Sequence, residues 1–203
     1  DRYTFDGESH DTVIAVRELN QEGLGPDQRT WVNDHTVYTH GYGVAAAYGN
    51  RTAADGQPQF FERGVPSTGS MGDYEQRIYF GEDSTTYSIV GAPEGTEPWE
   101  FDYPDDNADN QYVSYTFQGD GGPAIGSFLN KVLFALKFQS FNILFSDRVT
   151  SESQILYTRD PRERVAEVAP FLSLDGRTYP AVVDADDDPA TPKEVVWVVD
   201  AYT

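Results

Sequence analysis

The segment from Gly121 to Phe145 carries the most regular apolar pattern in this sequence. After Pro123, large apolar side chains recur at the three- and four-residue spacing of an α-helix. They are Ile125, Phe128, Leu129, Val132, Leu133 and Leu136. Because Phe134 and Phe138 lie beside this stripe, the pattern predicts a long helix that is buried on more than one side, with Pro123 in its first turn.

Other segments predict strands and short helices around this helix. Val13, Val16 and Leu19 recur at spacing three, which predicts a helix over residues 12–20, and Asp160-Pro161 predicts the start of a second short helix. Residues 49–73 are rich in Gly, Pro, Ser and Thr, which predicts an irregular segment. Alternating β-branched and aromatic residues predict strands at 35–42, 77–82, 86–90, 112–117, 153–157, 178–183 and 195–202, the last two as a hairpin.

The order of these elements shows no regular alternation of strand and helix. A parallel sheet is therefore not expected. The predicted fold class is α+β, with mainly antiparallel sheets packed against one long buried helix and a few short helices. Residues 1–203 are predicted to form a single soluble domain.

Charge and cysteine content exclude several classes of function. The chain has 34 acidic and 14 basic residues, a net charge of −20, so it repels nucleic-acid backbones and no nucleic-acid partner is expected. It contains no cysteine, which excludes disulfides, thiolate catalysis and cysteine zinc sites. No apolar stretch approaches the ~20 residues of a membrane-spanning helix, so this region is not expected to cross a bilayer.

Two acidic loops are the candidate metal sites. Asp184, Asp186 and Asp188 occupy the first, third and fifth positions of an EF-hand count, but Pro189 and Val195 stand where that loop needs Gly and Glu. The second group is Asp105, Asp106 and Asp109. No cofactor is predicted. Calcium binding at either loop stays open, with a solvated acidic turn as the alternative.

No catalytic residues are predicted, because the sequence has no nucleophile-elbow, nucleotide-binding or metal-ligand motif. His35 and His40 are five residues apart on a predicted strand, so they should face opposite sides and not share a metal. A hydrolase or transferase that uses a carboxylate pair, with His40 as base, remains an alternative. The candidate pairs are Asp34 with Glu18 and Asp102 with Glu100.

A series of short sequence blocks, taken in their order along the chain, resembles uncharacterised protein family 0182. The members of this family are large multi-pass bacterial membrane proteins. The blocks include Arg17-Glu18-Leu19-Asn20, residues 31–43, Ile78-Tyr79-Phe80-Gly81-Glu82, residues 100–104, residues 133–138, Arg162-Glu163-Arg164-Val165 and residues 199–203. The resemblance implies transmembrane helices elsewhere in the parent protein and a large soluble portion on the extracytoplasmic side. It implies no reaction, substrate or catalytic residue.

The predicted function is therefore a binding or interaction module rather than an enzyme. The chain stops within strand-like sequence at 195–203, which predicts a piece of a longer polypeptide. Its expected location is the extracytoplasmic face of the bacterial plasma membrane, with the rest of the parent protein and envelope components as partners. Trp99, Tyr103 and Tyr112 are the candidate contact residues. A divalent-cation-stabilised scaffold or adhesion module is a further alternative.

Overall fold

The structure is a computed structural model that describes residues 2–5, 7–188 and 190–203. Its strands are β1 (Arg2–Phe5), β2 (Glu8–Val16), β3 (Gly41–Tyr42), β4 (Val44–Thr52), β5 (Pro58–Arg63), β6 (Thr68–Gly69), β7 (Arg77–Ile78), β8 (Ser88–Val90), β9 (Glu100–Pro104), β10 (Tyr112–Tyr115), β11 (Gln154–Leu156), β12 (Ser173–Val183) and β13 (Glu194–Tyr202). Its α-helices are α1 (Phe128–Phe138), α2 (Asn142–Phe145) and α3 (Pro161–Val168). A 3₁₀ turn at Gln21–Gly23 and a π-helix at Asn33–Val37 precede β3.

Mostly antiparallel sheets and few helices agree with the predicted α+β class. The chain divides into two compact units. The first comprises Asp1–Glu18, Gly41–Gly81 and Pro161–Thr203, and the second comprises Leu19–His40 and Glu82–Asp160. In the part of the chain that the structure describes, no helix is long and apolar enough to cross a membrane.

The first unit is built on a five-stranded antiparallel sheet of order β1-β2-β4-β5-β6. Its core contains Val44, Phe61, Met71 and Tyr74, together with Val182 from β12. The predicted hairpin is confirmed as β12 and β13, which pair antiparallel. The predicted short helix after Asp160 is confirmed as α3.

Two predictions for the first unit are wrong. Residues 8–16 form strand β2 rather than a helix, and the buried or half-buried side chains alternate as Thr12, Ile14 and Val16. The apparent spacing of three arose because Val13 is apolar but exposed, while the inward Thr12 is polar. Residues 49–73, predicted to be irregular, contain the end of β4 and the whole of β5 and β6.

The second unit has a core of Ile89, Ile125, Ala135, Ile143 and Ile155. Strands β8 and β11 pair antiparallel and supply Ile89 and Ile155 to this core, and β9 pairs antiparallel with β10. These pairs confirm the strands predicted near 86–90, 112–117 and 153–157. These pairs and the π-helix at Asn33–Val37 position the candidate site described below.

The prediction of one long buried helix is not confirmed. Helix α1 has 11 residues and begins after Ser127, whose hydroxyl oxygen accepts a hydrogen bond from Asn130 N at 3.2 Å. Pro123 is not in its first turn, because the Pro123 carbonyl instead accepts from Ile155 N at 3.0 Å in β11. The face of α1 that carries Phe134, Ala135 and Phe138 packs in the core, together with Ile125 before the helix. The other large residues of the predicted stripe are mostly exposed, namely Phe128, Leu129, Leu133 and Leu136.

Candidate functional site

A cleft of about 850 Å³ opens on the surface of the second unit. One wall is aromatic and consists of Tyr38, Trp99, Phe101 and Tyr112. The ring centroids of Tyr38 and Phe101 are 5.7 Å apart, and those of Phe101 and Tyr112 are 5.4 Å apart. Three of the rings are therefore neighbours, and Trp99 lines the same cleft, so a partly apolar ligand can pack against them.

Polar side chains surround the aromatic wall. Gln28, Asn33, Asn110 and Ser114 supply amide and hydroxyl groups to the lining. The Asn33 amide donates to the Gln28 carbonyl oxygen at 2.7 Å, which fixes this edge of the cleft. A surface that combines aromatic rings with hydrogen-bonding amides and hydroxyls suits a ligand with an apolar face and a polar perimeter.

Charged groups stand at one end of the same cleft. The Arg148 guanidinium carbon lies 4.6 Å from the Trp99 ring centroid, a cation–π arrangement that supports the indole. Asp147 and Glu97 also line the cleft. The lining therefore contains one basic and two acidic side chains in addition to the Trp99 indole.

The π-helix at Asn33–Val37 brings Tyr38 to the cleft, where a strand was predicted over residues 35–42. The Gln21 side chain explains the difference, because its amide donates to the carbonyl oxygens of Asp34 at 2.7 Å and Tyr38 at 2.9 Å. The His35 ring stacks on the Tyr87 ring with centroids 3.9 Å apart, and burial lowers the pKa of His35. π-helical turns concentrate at functional sites, in keeping with this position.

Strand β9 separates the cleft from a buried polar network. Its alternating side chains place Phe101 on the cleft side and both Glu100 and Asp102 in the interior. His40 meets these two carboxylates, with its Nε2 atom 3.1 Å from Asp102 Oδ1 and its Nδ1 atom 3.9 Å from Glu100 Oε2. The structure therefore brings together one predicted carboxylate pair and the predicted histidine.

Hydrogen bonds fix the direction of proton donation in this network. Glu100 Oε1 accepts from the backbone N–H groups of Gly91 at 3.1 Å and Phe117 at 2.9 Å. The Thr39 hydroxyl donates to Glu100 Oε2 at 2.9 Å, so its oxygen accepts from His40 Nδ1 at 2.8 Å. The other ring nitrogen of His40, Nε2, lies within hydrogen-bonding distance of Asp102 Oδ1, at 3.1 Å.

Arg159 also contacts this network from the interior. Its guanidinium donates to the Thr39 carbonyl oxygen at 2.6 Å and to the Ser88 hydroxyl at 2.7 Å. A buried guanidinium is tolerated when its N–H groups are hydrogen-bonded in this way.

The network has the residue types of an acid–base site, but its side chains are not exposed to a substrate. The side chains of His40, Glu100 and Asp102 are 0–1% exposed, and the Thr39 hydroxyl is already committed to Glu100. None of the three is among the described residues that line the cleft. We therefore assign these residues the role of holding β9, and with it Phe101, against the segment that carries Tyr38.

The other candidate residues have different surroundings. Asp34 pairs with Arg29 at 2.9 Å in the second unit, whereas its proposed partner Glu18 belongs to the first unit. Of the candidate contact residues, Trp99 and Tyr112 line the cleft and Tyr103 is not part of the described lining, and their contact with a partner stays a prediction.

Both acidic loops form local turns in the structure. Asp186 accepts from Asp188 N at 3.1 Å and from the Thr191 hydroxyl, and these bonds lower the pKa of Asp186. Asp188 Oδ1 accepts from Ala190 N at 2.9 Å, while Pro189 lies outside the described residues. A calcium site that includes Asp184 stays a prediction.

The Asp105 turn has the same local character. Its Oδ1 atom accepts from the backbone N–H of Asn107 at 2.9 Å, as in an Asx turn. Within the described residues, no three His, Asp or Glu side chains converge as a metal-binding group. Calcium at Asp105, Asp106 and Asp109 likewise stays a prediction.

Comparison with known proteins places this chain in a family. The model of the uncharacterised protein family UPF0182 matches residues 1–203. The chain belongs to the UPF0182 family. UPF0182 proteins of Bifidobacterium longum, an Arthrobacter species and Tropheryma whipplei are 59%, 56% and 53% identical over the whole of this chain.

The chain spans only 18–20% of the length of these UPF0182 relatives. No solved structure matches it. Family membership therefore confirms the resemblance found in the sequence, and the functional argument depends on the geometry of the chain itself.

Proposed function

We propose that this UPF0182 region is a ligand-binding module on the extracytoplasmic side of a bacterial membrane protein, with the aromatic cleft as its contact site for envelope saccharides. The cleft carries this proposal. Sugar rings present C–H faces that pack on Trp and Tyr rings, and a perimeter of hydroxyl groups that bind amides and carboxylates. The wall of Trp99, Phe101 and Tyr112 and the amides of Gln28 and Asn110 supply both kinds of contact.

The buried network supports this function by positioning the aromatic wall in advance. Binding affinity depends strongly on how little the site must reorganise when the ligand arrives. Because His40 and Arg159 hold the segments around Phe101 and Tyr38 from the interior, the wall is formed before a ligand arrives. Exposed loops alone would not give this rigidity.

We expect Trp99→Ala and Tyr112→Ala to weaken saccharide binding by roughly tenfold or more, because aromatic anchors supply most of the contact energy in such sites. Quenching of tryptophan fluorescence by N-acetylglucosamine trisaccharide and by maltotriose, followed by calorimetry, measures the effect. Tyr179→Ala is the matched control, because Tyr179 is 37% exposed and Tyr112 is 38% exposed, but Tyr179 lies on β12 in the first unit. Absence of binding by either sugar, or equal binding by the Trp99 variant, would overturn the proposal for the cleft.

The proposed location has its own test. The chain contains no cysteine, so one introduced at the exposed turn residue Gly56 reports on this region alone once any cysteines elsewhere in the full-length polypeptide are replaced. We expect a membrane-impermeant maleimide to label Gly56→Cys in intact cells whose outer wall is permeable to it. Labelling that requires lysis would place the region in the cytoplasm. Support for an extracytoplasmic position comes at present from the family resemblance.

A further inference from the structure

Helices α1 and α2 present a large apolar surface to solvent. Leu129, Leu133 and Leu136 lie at i, i+4 and i+7 on one face of α1 and are 65%, 55% and 68% exposed. Three phenylalanines join them, with 73–80% exposure: Phe128, Phe141 and Phe145. We call these six residues the outer face.

The outer face is larger than an ordinary monomer surface explains. An aromatic side chain presents roughly 150–250 Å², so the three phenylalanines alone expose on the order of 400 Å². The largest apolar patch of a typical monomer is about 300–600 Å² in total, and such patches mark contact sites. Adding three leucines at more than half exposure brings the outer face beyond what solvation alone favours.

The sequence around the outer face is also distinct in charge. No acidic residue occurs from Gly121 to Ser146, although the chain contains 34 acidic residues. Of the two lysines in this segment, Lys131 donates to the Val149 carbonyl oxygen at 2.6 Å and so serves the core rather than the outer face. Depletion of charge around large apolar side chains is the composition of the centre of a protein interface.

Helix α1 is apolar around most of its circumference. Its inner face, with Ala135 and Phe138, already packs in the core of the second unit. A helix that is hydrophobic on all sides is normally covered on all sides. The described residues cover only one side, so the outer face needs a second apolar surface.

We infer that the outer face docks against an apolar segment of the same polypeptide that lies outside residues 1–203. The relatives are about five times as long as this chain, which spans 18–20% of them, so most of such a polypeptide remains to supply that segment. A tethered segment is present at high effective concentration, so it competes favourably with free partners. A second copy would instead bring together two chains of net charge −20, and an anionic bilayer would repel the chain.

This inference does not depend on what the cleft binds. It depends on the region being part of a longer chain, as its relatives are. If the cleft does not bind saccharides, the docking inference still stands. If the outer face does not dock, the proposal for the cleft still stands.

Photo-crosslinking in the full-length polypeptide tests the docking. A benzoylphenylalanine replaces Phe128 or Phe145, where it resembles the native ring, and the exposed Glu152 is the control position. We expect the two outer-face positions to give intramolecular cross-links that mass spectrometry maps to peptides outside residues 1–203, with no such product from position 152. Cross-links to a second copy, adducts with lipid, or a yield equal to the control would each overturn the inference.

A substitution within the outer face provides the second measurement. Leu133→Asp should lower the equilibrium constant for docking by at least roughly tenfold, because a charge buried at an apolar contact costs more than the 1.4 kcal/mol that this factor represents, and the cross-link yield from position 145 should fall accordingly. Asn142→Asp adds the same charge at an exposed position beside the outer face and should leave the yield unchanged. Equal yields from the two variants would show that the outer face does not dock as a unit.

Discussion

We expect His40→Ala to lower the free energy of unfolding by about 2–5 kcal/mol, because two buried hydrogen-bonding partners, Thr39 and Asp102, lose their contact and each unsatisfied buried group costs ~1–3 kcal/mol. The Nε2 atom of His40 lies 3.1 Å from Asp102 Oδ1, and both side chains are 0–1% exposed. For a chain of this length, each 1 kcal/mol shifts the thermal midpoint by roughly 2–4 °C, so calorimetry resolves the loss easily. Chemical denaturation provides the free energy itself.

Two further variants show what the His40 result means. Asp102→Asn removes the charge but keeps a hydrogen bond, since its amide can donate to Nε2 of a neutral imidazole, and we expect a smaller loss than for His40→Ala. Asp11→Asn is the control, because it breaks an ion pair with Arg2 at 2.7 Å in which both side chains are exposed. A His40→Ala variant as stable as the Asp11→Asn control would contradict the assigned role of the network.

Ile143→Ala should lower the free energy of unfolding of the 203-residue chain by about 2–5 kcal/mol, the range for truncating a fully buried aliphatic side chain. Ile143 is completely buried in the core of the second unit. Its neighbour Phe145, two residues further along α2, is 80% exposed. Phe145→Ala is therefore the matched control, and it should change stability little although it removes the larger side chain.

The comparison of these two residues also tests the orientation of α2. If Phe145→Ala were the more destabilising variant in this chain, α2 would face the other way and the outer face would not exist. Urea denaturation of both variants decides between the two orientations, provided that the dependence of the free energy of unfolding on urea concentration is unchanged.

Local signals account for the parts of the fold that the sequence predicted correctly. The β12–β13 hairpin combines alternating β-branched residues with a connection close in sequence, and α3 begins at Pro161 directly after an acidic residue. Helix α1 was recognised from its apolar spacing, although its start was placed too early. In each case the residues that define a single helix or strand lie within about ten positions of one another, and the two strands of the hairpin follow one another directly along the chain.

The errors arose where distant residues override local preference. Residues 35–42 resemble a strand, but the Gln21 amide and the stacked Tyr87 ring stabilise a π-helical turn there. Strand β2 resembled a helix because its inward Thr12 is polar. Neither Gln21 nor Tyr87 can be recognised as a partner from the sequence around residues 35–42.

Part of the candidate site could be predicted from the sequence, and part of it depends on the tertiary structure. Trp99, Tyr103 and Tyr112 were predicted as contact residues because they are aromatic and stand beside an acidic loop, and the pair Asp102 and Glu100 was named with His40 as an alternative acid–base group. That these three polar residues meet depends on bringing positions 40, 100 and 102 together through long-range packing. Only the structure reveals that they are buried beneath β9 and therefore support the cleft rather than react in it.

The sequence by itself determined the family, the acidic surface and the presence of a helix that is apolar on more than one face. Charge and apolar spacing are properties of neighbouring residues, so they survive without coordinates. The tertiary structure alone decided which face of α1 is covered and which two carboxylates, Glu100 and Asp102, lie next to His40. Those choices depend on which distant segments pack together, and no local pattern encodes them.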